Sequence, residues 1–185
     1  MLISERLKIR PMTSPDVDYI AKLFDETESS ANFYAELDLP RTHEDLAAEF
    51  VVTRDDAIYF AITLFDDTFV GMCGVAWGPP SYRQNRVCRI SLQISDAHQR
   101  TGYGFEARVV LCEFLFAQMN VHRIIGGYMY ENVASRAQAL RTGARICGRM
   151  REVWYFNGLF HDIEAWSLDP DSFHEACPHT STRVM

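Results

Sequence analysis

Apolar positions recur with a period of two in some stretches and near 3.6 in others, and the switches divide the chain into elements. Leu7 and Ile9 alternate with Lys8 and Arg10, so Leu2 to Met12 reads as a first strand. Ser14-Pro15-Asp16 predicts a helix start, with Ser14 as N-cap and Pro15 at the first helical position. Val17, Ile20, Ala21 and Phe24 then share one face. Residues 28–40 are polar and aromatic without a period and read as a loop. Thr42-His43-Glu44-Asp45 has the form of a capping box with Asp in the acidic place, and Leu46, Phe50 and Val51 continue a second helix. Two strands, 57–65 and 68–77, meet at Asp66-Asp67 as a hairpin, and residues 78–85 read as a loop.

The second half repeats this alternation. A strand over 87–95 leads through glycines into a helix from about Tyr103 to Met119, whose apolar face is read as Phe105, Val109, Cys112, Leu115 and Phe116. Val121 to Tyr130 is a strand, and Asn132 to Arg141 a short helix stopped by Gly143. Strands 145–156 and 159–168 form a hairpin around Asn157-Gly158, a strong short-range turn signal. Pro170 onward reads as a tail, which gives one domain over 1–169 and a tail over 170–185. The order of elements implies an α/β (α+β) fold, a mixed sheet with helices on its faces.

Composition narrows the function classes. With 25 acidic against 18 basic residues the net charge is -7, and no basic stripe is visible, which disfavours a nucleic-acid partner. The same acidity suits a cationic substrate or simple solubility. The five cysteines include no Cys-x-x-Cys pair, so they read as free thiols of a reducing compartment. The N-terminus lacks a basic-then-apolar signal and no apolar run reaches membrane-spanning length, so cytoplasm and no membrane partner are the expectation.

The richest candidate chemistry is Gln99-Arg100-Thr101-Gly102-Tyr103-Gly104, between a strand and a helix. First-turn N–H groups converge there, the helix dipole favours negative charge, and glycines let a ligand approach the backbone. The reading is a phosphate-bearing small molecule, against the alternative of a tight connection with no ligand. A nucleoside-triphosphate loop is excluded because no Gly-x-x-x-x-Gly-Lys-Ser/Thr occurs. A dinucleotide site is disfavoured, since Tyr128 and Tyr130 stand where its acidic residue is expected.

That turn in mid-chain, in this order of elements, resembles the GCN5-related N-acetyltransferase (GNAT) superfamily, whose signature is Gln/Arg-x-x-Gly-x-Gly/Ala. Phe105-Glu106-Ala107 and Asn132-Val133-Ala134-Ser135 are similar to segments of the superfamily, and Asn157-Gly158-Leu159-Phe160-His161-Asp162 looks like the closing hairpin of its ribosomal-protein N-terminal acetyltransferase-like branch. The resemblance implies a mostly antiparallel sheet of about seven strands flanked by about four helices, with the fourth and fifth strands, here 87–95 and 121–130, splayed apart. It implies acetyl-CoA as co-substrate and an amine acceptor: a protein N-terminus, a polyamine or another small amine. Gln99, Arg100, Thr101, Gly102, Tyr103 and Gly104 would hold the pyrophosphate. Gln93, Ile94 and Ser95 would pair with the pantetheine amides, and Asn132 and Ser135 would contact the cofactor. A homodimer is a candidate assembly.

Two departures bear on the chemistry. Many members carry a Tyr acid seven residues after the Asn, where this chain has Ala139, and Ser135 is the alternative acid or a local helix cap. A Glu often found on the fourth strand is Arg89 here, which leaves Glu131, His122 or a water chain as base. These departures keep a non-catalytic acyl-CoA-binding module as the alternative reading. Glu106 reads as a local helix-start contact, and His98 as a surface residue beside the loop. Trp77, Tyr82, Phe33 and Tyr34 are candidates for an acceptor pocket or for packing. His174, Cys177 and His179 form no recognised zinc pattern, so no metal is expected.

Overall fold

A computed structural model of the chain describes residues 1–25, 42–52, 54–78, 80–156, 158–178 and 183–184. The loop expected over 28–40, with Phe33 and Tyr34, lies outside the described residues, as do Asn157 and His179. The strands are β1 (Leu2–Ile3), β2 (Lys8–Pro11), β3 (Ala57–Thr63), β4 (Phe69–Ala76), β5 (Val87–Ile94), β6 (Arg123–Met129), β7 (Arg145–Phe156), β8 (Leu159–Leu168) and β9 (Arg183–Val184). The helices are α1 (Val17–Asp25), α2 (His43–Phe50), α3 (Pro80–Gln84), α4 (Tyr103–Ala117), α5 (Val133–Arg141) and α6 (Pro170–Ala176).

The strands form one sheet in the order β7-β8-β6-β5-β4-β3-β2-β1-β9. Every described neighbour pair is antiparallel except β5 and β6. These two strands pair in parallel only over Val87–Arg89 and Arg123–Ile125. Beyond that point β5 stays on β4 as far as Ile94, and β6 stays on β8 as far as Met129. The mixed sheet and the splayed central pair are those expected from the sequence.

Helices cover both faces. On one, Leu111, Cys112 and Leu115 of α4 pack with Ile124 and Leu168 of the sheet. On the other, Ile20, Leu23 and Phe50 of α1 and α2 pack with Ala61 and Met72. Alternation along β6 follows from this: Ile124 and Tyr128 join the α4 core, while Ile125 and Gly127 point the other way.

Several boundaries differ from the sequence reading. The first strand is two short strands, broken where Ser4 N–H donates to Leu7 O at 3.0 Å. The first helix is capped by Thr13 rather than Ser14, and a single 3-10 turn over Ser14–Asp16 precedes α1. Asp16 reaches back to accept from the Thr13 N–H at 2.8 Å, so the residue three places on selects the cap. The 78–85 loop carries the short α3. In α4 the buried side chains include Ala107, Val110 and Leu111, while Phe105 is half-buried under the Arg141 guanidinium, 3.7 Å from its ring centre. A helix apolar on nearly every side gives no clear stripe to read. The stretch read as a tail forms α6, whose Phe173 is fully buried 5.5 Å from the Phe116 ring. A Cβ on Gly143, at φ +89, would collide with Ser172 O, so the glycine that ends α5 also admits α6.

Candidate active site

The turn after β5 is built from left-handed backbone. Arg100 has φ 60 and Gly102 has φ 88, and α4 begins at Tyr103 with Gly102 as its N-cap. Gly102 has no side chain to cap with, and Thr101 Oγ1 accepts from the Tyr103 N–H only at 3.5 Å. The early N–H groups of the helix therefore point outward without an intrahelical acceptor. Thr101 Oγ1 donates to His98 O at 2.6 Å and stiffens the turn. Gly104 lies under α5: a Cβ there would sit 3.1 Å from Gln138 Nε2 and 3.4 Å from Ile94 Cγ1.

A long-range clamp fixes the turn. Glu106 accepts from Ser4 Oγ at 2.7 Å, from the Arg6 N–H at 2.9 Å and from Arg6 Nε at 2.7 Å. Arg6 in turn donates through Nη1 to Thr101 O at 3.0 Å and lies 4.7 Å over the Tyr103 ring. The sequence reading of Glu106 as a local contact missed this partner a hundred residues away. Its only sequence signal was a break in the first strand at a charged pair, Glu5-Arg6.

The β5 backbone divides its hydrogen bonds between two sides. Ser95 N–H donates to Val70 O at 3.0 Å, so Ser95 and, by alternation, Gln93 face β4. Leu92 and Ile94 turn their backbones to the gap left by β6. Of the expected trio 93–95, then, only Ile94 presents its backbone there, and Leu92 joins it. Ile94 O already accepts from Gln99 Nε2 at 3.3 Å. The Gln93 side chain points away, donating to Leu23 O at 3.1 Å, with its Oε1 buried and unpartnered.

Across the gap, Asn132 caps α5 by accepting the Ser135 N–H at 2.9 Å. Ser135 is therefore the third helical residue and not the cap, and it is half-buried. Glu131 is exposed at the turn out of β6, its Oε2 3.7 Å from His161 Nδ1. His122 precedes β6 at the opposite, paired end, about 25 Å of extended strand from Glu131.

A buried polar group lines the α4 side of β6. Tyr128 donates to Glu164 Oε2 at 2.7 Å, and Arg136 Nε donates to the same oxygen at 3.0 Å. Burial, then the Glu164 carboxylate, push the Tyr128 hydroxyl far above its ordinary value, so it stays protonated. Beside it, the buried Arg108 guanidinium packs 4.5 Å over Trp166 and donates to Thr142 Oγ1 at 3.2 Å. Among the described residues no group of three or more His, Cys, Asp or Glu side chains is arranged to hold a metal ion. His174 approaches Glu113 at 3.6 Å. No helix among the described residues is long and apolar enough to cross a membrane.

The fold has counterparts in solved structures. Spermidine N-acetyltransferase from Vibrio cholerae, in complex with CoA and spermine, superposes with a TM-score of 0.81 over 92% of this chain and 99% of that one, at 14% identity. RimL, a ribosomal L7/L12 alpha-N-protein acetyltransferase in complex with coenzyme A, superposes with a TM-score of 0.78 over 92% and 97%, at 18% identity. At these identities the likeness is one of fold. No curated protein matches the sequence. The family model for the acetyltransferase (GNAT) domain matches residues 6–145. With well over half of the sequence matched and the splayed sheet in place, the chain belongs to the acetyltransferase (GNAT) domain family.

Proposed function

We propose that this protein is an acetyl-CoA-dependent N-acetyltransferase that moves an acetyl group to a primary amine. The observation that carries the reading is the uncapped start of α4, with left-handed Arg100 and Gly102, at the end of the one strand that parts from its neighbour. The fit to a pyrophosphate is direct. Arg100, Gly102 and Gly104 offer backbone N–H groups, Gly102 offers no side chain, and the helix dipole adds positive potential. Gln99, Thr101 and Tyr103 hold the shape of that turn. Leu92 and Ile94 offer a strand edge to the pantetheine amides, in the manner of an added strand. Asn132 and Ser135 line the other wall.

Bound acetyl-CoA would supply the activated acyl group as a thioester. The chain supplies position and protons. Holding amine and thioester together in the gap provides much of the acceleration. Glu131, exposed beside His161, takes the proton that the attacking amine loses, and the Ser135 hydroxyl gives one to the departing sulfur. A homodimer belongs to the same proposal. β7 is a sheet edge with exposed Met150, Val153 and Tyr155, and Leu159 and Phe160 are exposed beside it. The five thiols are unpaired, as a reducing cytoplasm would keep them.

Release of thiol from acetyl-CoA, followed across a panel of amines, tests the reading. Ser135→Ala should lower kcat by about 10²-fold or more, within the usual range for a proton donor, with acetyl-CoA affinity retained. Tight binding with no turnover of any amine would favour the second reading, a silent acyl-CoA-binding module. Arg89 on the splayed strand, where a Glu is often found, is what keeps that reading in view.

A further inference from the structure

The peptide between Thr101 and Gly102 is held from one side by a residue 95 positions earlier in the chain. Arg6 Nη1 donates to Thr101 O at 3.0 Å, and Arg6 Nη2 stands 3.2 Å from where a Cβ on Gly102 would lie. The described peptide bonds are all trans, so the Thr101 carbonyl and the Gly102 N–H point in opposite directions within one plane. A grip on that carbonyl therefore fixes the direction of the N–H, which faces away from Arg6. The Gly102 N–H makes no hydrogen bond among the described residues. Hydrogen bonds in series polarise one another, so a cationic donor on the carbonyl makes the N–H of the same peptide a stronger donor. An anion is the acceptor that gains most from this, at the point where the dipole of α4 already favours one.

Arg6 is itself set by the turn between β1 and β2. Its Nε and Nη2 lie 2.7 and 2.6 Å from Glu106 Oε2, its backbone N–H donates to Glu106 Oε1, and Ser4 Oγ donates to the same oxygen. Ser4 Oγ also accepts the Leu7 N–H at 3.1 Å, so residues 4–7 close around a carboxylate in the first turn of α4. The dipole of α4 alone disfavours a cation at this end of the helix. The pair with Glu106 offsets that cost and accounts for Nε and Nη2. The bond from Nη1 to Thr101 O adds nothing to the ion pair and acts on the turn alone. We propose that Arg6 is a positioning residue for the pyrophosphate of acetyl-CoA, acting through the Thr101–Gly102 peptide, and that cofactor binding is thereby coupled to the docking of residues 4–7 on α4. The coupling is reciprocal: the factor that the docked segment adds to acetyl-CoA affinity is the factor by which bound acetyl-CoA holds the segment closed.

This inference rests on the cofactor reading above, and two measurements separate them. The first is calorimetric titration of acetyl-CoA into the wild type, Arg6→Met and Arg6→Lys. Arg6→Met should weaken binding about tenfold, the scale of one charge-assisted hydrogen bond. Arg6→Lys keeps the charge and one donor and should recover part of the loss. The second is amide hydrogen exchange at Arg6 and Leu7 of the wild type, with and without saturating acetyl-CoA. By reciprocity the local opening that exposes these amides should become about tenfold rarer in the complex. In Arg6→Met that slowing should vanish. A residue that only held the fold together would leave the local exchange unmoved by the ligand. Equal acetyl-CoA affinity in the wild type and Arg6→Met would overturn the inference and leave the cofactor reading standing. So would equal exchange of the wild-type amides with and without acetyl-CoA, which decides alone if Arg6→Met does not fold. No binding of acetyl-CoA to the wild type would sink both.

Discussion

The turn that follows β5 and the cleft over β6, β8 and β7 flank one splayed strand pair, and they are constructed in opposite ways. The turn is six consecutive residues whose backbone would hold the phosphate in the proposed function, fixed by a clamp of Ser4, Arg6 and Glu106. The cleft draws its walls from the β4–β5 connection, β5, β6, β7 and β8, and side chains define its character. Backbone recognition of a phosphate needs little more than permissive φ angles and uncapped N–H groups, so it can be written in a short contiguous stretch. A cleft walled by side chains needs residues that only the sheet brings together.

The contrast can be broken most sharply at Gly102. Gly102→Asp puts a Cβ on backbone at φ 88 and a negative charge at the start of α4. Loss of acetyl-CoA affinity by more than about 100-fold, about 2.7 kcal/mol, is expected from calorimetry. On the α4 face of β6, Gly126 lets the Trp166 ring lie against the backbone, where any Cβ would collide with it. Gly126→Val should cost about 3 kcal/mol of stability by overpacking, seen as a lower urea midpoint at unchanged slope. Glu106→Ala removes the clamp without touching the turn itself. It should cost about 2 kcal/mol and weaken acetyl-CoA binding about tenfold.

The smallest effect lies away from both regions and serves as a control. Burial of Asp16 works to raise its carboxyl, but hydrogen bonds from Arg10 and Thr13 outweigh it and hold the group below its ordinary value. The native carboxyl thus binds a proton less readily than the unfolded one. Its stabilisation is complete above the unfolded pKa of about 3.9 and fades as pH falls through the native value. Asp16→Asn should cost about 1–2 kcal/mol at pH 7 in urea unfolding. That cost should shrink as the pH drops below about 4, with acetyl-CoA affinity unchanged at neutral pH.

What the sequence made legible follows the same division. The glycine turn, the Asn132 start of α5 and the 159–168 hairpin strand depend on neighbours close in the chain, and local rules reach them, whereas the splayed pair is expected from the family resemblance alone. The Arg6–Glu106 clamp joins residues a hundred positions apart, and no local pattern marks it. Phe173 looked like part of a tail because one buried aromatic in a seven-residue helix leaves no period to detect. The resemblance puts Gln93 and Ser95 at the gap, whereas the antiparallel register with β4 turns their backbone groups toward that strand. Arg89 was visible as a departure, but its place in the wall of the cleft appears only when β7 and β8 fold beside β6.

Calorimetric titration of acetyl-CoA into the wild type and into Gly102→Asp, side by side, bears most directly on the whole account. Micromolar binding to the wild type that disappears in the variant is the predicted result, and it would place the cofactor on the α4 start. Equal affinity in the two proteins, or no binding to the wild type, would contradict it.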